Sequence, residues 1–66
     1  MVIFPIKYIS PKRGLCYDTE TAANCVAMIN RFLERRSDVT HFSYRAPHGQ
    51  WFDVERTPGG YSVVAA

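Results

Sequence analysis

One stretch of helical periodicity, about Asp18 to Arg36, sits in a chain whose other segments all read as strands. Ala22, Cys25, Val26, Ile29, Phe32 and Leu33 recur at spacings of three and four, which places them on one helical stripe. Asp18 or Thr19 can accept a hydrogen bond from the free N–H groups of a first turn, and Glu20 suits the positive end of the helix dipole. Arg35 and Arg36 suit the other end, and Ser37-Asp38 is the expected stop. An apolar stripe needs an apolar surface to cover, and the strands must supply it.

Those strands are short and well punctuated. Residues 2–9, VIFPIKYI, are apolar and β-branched, and Pro5 points to a sheet edge or a bulge because it cannot donate a ladder hydrogen bond. Residues 10–14, SPKRG, form a turn, after which Leu15-Cys16-Tyr17 is either a short returning strand or an extended lead into the helix. Beyond the helix come three strand candidates, 40–45, 51–56 and 61–65. Between them lie APHGQ, with Gly49 in a left-handed position, and TPGG, where Gly59 suits the third position of a type II turn. Alternation puts Phe42, Tyr44, Phe52, Val54, Tyr61 and Val63 toward the helix. The other phase gathers Trp51, Asp53 and Glu55. The expected fold is α+β: a small antiparallel or mixed sheet of three to five strands, with one amphipathic helix packed on one face, in the order β-(β)-α-β-β-β. With 66 residues the chain is a single domain, 1–66, with a small core.

The composition narrows the function classes. The hydrophobic fraction of 47% excludes a disordered chain, and a net charge of +2 is far from that of a dedicated polyanion binder. No apolar run approaches a membrane span, the N-terminus lacks a signal-peptide pattern, and two cysteines do not make a disulfide framework. A cytoplasmic protein without cofactor or metal is the expectation. Cys16, Cys25, His41 and His48 match no zinc spacing, and Cys25 falls on the apolar stripe. Ser43, His41, His48 and Asp53 are residue types a hydrolase uses, but none has a nucleophile-elbow context. A minimal nuclease or toxin using His41 or His48 is therefore the third reading.

The second reading is a small nucleic-acid-binding module. Lys12 and Arg13 project from a turn, and Arg31 and Arg35 share a helix face. The first is a small non-enzymatic protein-binding module, an inhibitor or accessory subunit of a larger protein complex, of a size that suits a viral or mobile-element protein. Its expected contact residues are Trp51, Arg45, Arg56, Asp53, Glu55 and Tyr61, aromatic and charged side chains on adjoining strands. Met28 and Ala27 flank the helix stripe and suit partner contact. An exposed sheet face or edge also offers a homodimer a place to form.

Overall fold

Five strands form a single antiparallel sheet in the order β2-β1-β3-β4-β5, with one helix across it, in a computed structural model that describes all residues 1–66. The elements are β1 (Val2–Ser10), β2 (Gly14–Ala22), α1 (Cys25–Arg35), β3 (His41–Arg45), β4 (Trp51–Thr57) and β5 (Gly60–Ala65). The α+β class, the single helix and the element order match the sequence reading. β2 and β3 flank β1 on opposite sides, so α1 must pass over β1 to join them, and this lays its apolar stripe on one sheet face.

The helix is shorter than its periodicity suggests. Asp18 to Ala22 belong to β2, paired with β1 in an unbroken register from Val2↔Ala22 to Ser10↔Gly14. Tyr17 to Thr21 alternates in and out with two threonines, a pattern that suits a strand, and the whole hairpin ladder rewards it. The N-cap is Asn24, in place of Asp18 or Thr19: its side chain accepts a hydrogen bond from the Ala27 N–H at 2.9 Å. The buried stripe is also centred on a different part of the helix surface. Met28 is fully buried beside Ile29, Phe32 and Leu33, whereas Val26 is 59% exposed. Met28 is therefore core, and Ala27 packs partly against it.

Leu15-Cys16-Tyr17 lies within β2, which makes β1 an interior strand and overturns the edge position inferred from Pro5. Only Ile6, Lys7 and Tyr8 pair with β3, and Pro5 lies one residue beyond that ladder. Its missing N–H is thus tolerated without an edge. The β4–β5 turn also differs: the positive φ falls at Gly60, at 141°, and Gly59 has none, so the turn is not type II. Gly49 takes its expected positive φ of 97°.

Phe4, Ile6, Phe42, Tyr44 and Val54 on the sheet meet Met28, Ile29, Phe32 and Leu33 on the helix to form the core. Phe32 lies against Phe42 and Tyr8, with ring centroids 4.5 and 5.7 Å away. The helix lies closest to β2, leaving the β4–β5 flank less covered: Phe52 and Tyr61 are half-buried and Val63 is exposed. No helix is long and apolar enough to cross a membrane.

Tyr44 lies in this core. Burial pushes its phenol up to about 12, with the Cys25 thiol and then Tyr61 adding to the effect. The folded protein thus holds this proton to a higher pH than the unfolded chain, whose tyrosines titrate near 10. The Tyr44 contribution to stability is fully present below about pH 10 and is lost as pH rises through about 12. Denaturant titrations at about pH 9 and about pH 11 should show a smaller alkaline loss for Tyr44→Phe than for the wild type. Equal losses in the two proteins would contradict this assignment.

Candidate functional site

The face that α1 leaves uncovered is built by strand alternation. β1 contributes Ile3, Lys7 and Ile9, and β2 contributes Leu15, Tyr17 and Thr21. β3 adds His41, Ser43 and Arg45, β4 adds Trp51, Asp53 and Glu55, and β5 adds Ser62 and Val64. Antiparallel register sets these side chains in rows across the strands, the central one being Tyr17, Lys7, Ser43, Asp53 and Val64. The face holds a shallow depression of about 490 Å³, lined by Lys7, Ile9, Leu15, His41, Ser43, Asp53, Glu55, Ser62 and Val64 among others.

The polar groups on this face are cross-strand partners. Ser43 donates its hydroxyl to Asp53 Oδ1 at 2.6 Å, directly opposite on β4. His41 Nε2 meets Glu55 Oε2 at 3.1 Å, and His41 Nδ1 meets Thr40 Oγ1 at 3.1 Å. The Lys7 ammonium lies 4.5 Å from the centre of the Trp51 ring, a cation–π contact between β1 and β4. Both ring nitrogens of His41 are engaged elsewhere, and the Ser43 hydroxyl bonds a carboxylate, so these residues do not form a serine–histidine pair. His48 sits in the β3–β4 loop, where its Nδ1 accepts from the Gln50 N–H at 3.2 Å and its ring meets the edge of Phe52. No three His, Cys, Asp or Glu side chains gather as a metal-holding group.

Among the six expected protein contacts, Trp51, Arg45, Asp53 and Glu55 share this face, with Arg45 paired directly to Trp51. Arg56 and Tyr61 do not. They are one strand phase away, paired with each other on the helix side. Arg56 reaches under the end of α1, donating from Nη2 to the carbonyls of Leu33 at 3.0 Å, Arg36 at 3.2 Å and Val39 at 3.1 Å. Tyr61 packs against the core. Both have structural work on that side.

The four basic residues considered for nucleic acid also separate by role. Lys12 and Arg13 are exposed in the β1–β2 turn, with their backbone N–H groups on Ser10 Oγ. Arg31 and Arg35 do not form a free outer helix face. Arg35 Nε pairs with Glu20 at 3.0 Å and its Nη1 with Asp18 at 3.1 Å, while Arg31 Nε pairs with Glu20 at 3.4 Å. Burial alone would lower the Arg35 pKa, but hydrogen bonds to Glu20 and Asp18 outweigh it and hold the pKa above the ordinary arginine value. Glu20 and Asp18 were read as helix-start residues. On β2 they become acceptors for the helix.

Sequence reasoning did not place Lys7, Ile9, Leu15, Tyr17 or Val64 on a functional face. The alternation of β1 and β5 contained the signal for Lys7, Ile9 and Val64. Leu15 and Tyr17 had no assignable phase while the segment after them was read as helix. Comparison with family models, curated proteins and solved structures finds no match to the chain.

Proposed function

We propose that this chain is a small non-enzymatic protein-binding module that docks its uncovered sheet face on a larger protein or complex, as an inhibitor or accessory subunit. The observation that carries the reading is the clustering of exposed apolar side chains. Five of the eight exposed large hydrophobics, Ile3, Ile9, Leu15, Tyr17 and Val64, lie on that one face, which also carries Trp51. Apolar residues that a small core merely fails to bury would scatter over all surfaces. A face that mixes exposed apolar residues with an aromatic side chain and charges has the usual composition of an interface. Lys7, Arg45, Asp53 and Glu55 supply charges of both signs around it, which favours a partner with its own mixed pattern.

The nucleic-acid alternative would have to take Arg31 and Arg35 away from Glu20 and Asp18, so the helix face supports it less well than the sheet face supports protein binding. Two unpaired cysteines suit a reducing compartment, and this reading takes the cytoplasm as the location. The small size suits a phage or mobile-element inhibitor.

The test is affinity capture from the native host with nuclease and high-salt washes. A protein partner should persist through both. Trp51→Ala, with an unchanged circular dichroism spectrum, should weaken that partner about 30-fold or more, the effect of removing an interface anchor. Leu15→Asp should act in the same direction. Wild-type affinity in both folded variants would remove the uncovered face from the interface, and nuclease-sensitive capture would favour nucleic acid instead.

A further inference from the structure

The two edges of the sheet are unlike. At β2, Arg35 Nη2 donates to the Thr19 carbonyl at 3.4 Å, and Asp18 and Glu20 on the same strand carry the charges that hold Arg35 there. Another strand pairing at that edge has to displace this arginine. At the other edge, β5 has no Lys, Arg, Asp, Glu or Pro between Gly60 and Ala65, which are the usual devices against strand pairing. Val63 and Val64 are 38% and 62% exposed.

The ladder decides which β5 backbone groups face outward. Thr57 and Gly60 close the hairpin, and the Ala66 N–H donates to the Trp51 carbonyl at 3.1 Å. Gly60, Ser62 and Val64 share that phase and face β4, so Tyr61, Val63 and Ala65 direct their N–H and C=O groups outward. We propose that β5 pairs antiparallel with β5 of a second copy about a two-fold axis through Val63, joining the two sheets into one.

In this register Val63 faces the second copy's Val63, and each Tyr61 faces an Ala65, so a large side chain meets a small one. Ser62 faces Val64 on the other side of the sheet, and no like charges are opposed. A shift of two residues in either direction leaves one outward-facing residue without a partner. The axis is normal to the sheet, which puts both helices on one side and both uncovered faces on the other. Each copy uses its bare edge, and the guarded β2 edges remain outside, so assembly closes at the dimer. The pairing stands apart from the protein-binding reading because it uses the edge and not the face.

Sedimentation across a concentration series tests it. The wild type should move from 7.5 kDa to twice that mass. Val63→Pro should stay monomeric: the lost N–H faces outward, so no bond within the fold is removed. Val63→Lys and Val63→Glu should each be monomeric, because the axis sets like charges against each other, and an equal mixture should recover a mixed dimer. A wild type that remains at 7.5 kDa up to about 1 mM, the weak end of specific association, overturns the proposal. So does a dimer that survives Val63→Pro and Val63→Lys, or one abolished by Trp51→Ala. Partner capture by the monomeric Val63→Pro protein would show that the dimer and the docking face are separable.

Discussion

Phe32→Ala should remove about a third or more of the stability of the fold. Phe32 is fully buried, and its ring contacts Phe42 from β3 and Tyr8 from β1, so it joins the helix to two strands at once. Truncating a buried phenylalanine costs about 3–5 kcal/mol, from lost transfer energy and the cavity left behind. A chain of 66 residues has a total stability of only about 3–10 kcal/mol at the usual value per residue. The loss is therefore a large share of the whole. Urea denaturation followed by circular dichroism gives the measurement, and a loss below about 1 kcal/mol would contradict this account of the core. Val26→Ala is the matched control. Val26 is exposed, and alanine is the better helix former, so stability should hold or rise by a few tenths of a kcal/mol. Val26→Ala separates the stripe seen in the fold from the one the periodicity suggested, since Phe32 belongs to both.

The second large effect is expected at Arg56. Its guanidinium satisfies the carbonyls of Leu33, Arg36 and Val39, and its backbone N–H donates to Thr40 at 2.8 Å. The last carbonyls of a helix have no partner within it, and here β4 supplies one from across the sheet. Hydrogen bonds from a charged donor contribute about 1.5–3 kcal/mol, and the shared acceptors of one side chain are not additive. Arg56→Ala should therefore destabilise the fold by about 2 kcal/mol or more. Arg56→Lys should recover only part of this, because an ammonium cannot reproduce the spread of the guanidinium donors. Denaturation midpoints for the three proteins measure the effect, and an Arg56→Ala protein as stable as the wild type would show that water replaces the contacts without loss. The prediction also bears on function. A binding defect in an Arg56 variant would report a loosened helix end, whereas Trp51, on the other side of the sheet, reports the docking face.

The candidate site was partly legible in the chain. Trp51, Asp53 and Glu55 followed from alternation alone, and Arg45 from its place opposite the next strand. Arg56 was grouped with Trp51 because a charged residue at a strand end reads as solvent-facing until the helix terminus it supports is known; the fold puts it on the helix side. Arg31 and Arg35 read as a free basic pair because their partners, Asp18 and Glu20, are assigned to the same helix when β2 goes unrecognised. One boundary error thus altered both the strand count at the N-terminus and the charge reading of the helix.

What the sequence by itself determined was the class of fold, the single helix, the β3–β4–β5 meander and the two faces of its strands. These rest on local periodicity and turn chemistry, which act over a few residues. Tertiary structure decided where the helix begins, that β1 lies inside the sheet, which arginines are held and which edge is bare. Asp18-Thr19-Glu20 satisfies the local rules of both a helix start and a strand, and only the ladder with β1 separates them. Pairing of that kind is non-local: its stabilisation comes from residues elsewhere in the chain, so the segment's own sequence cannot express it.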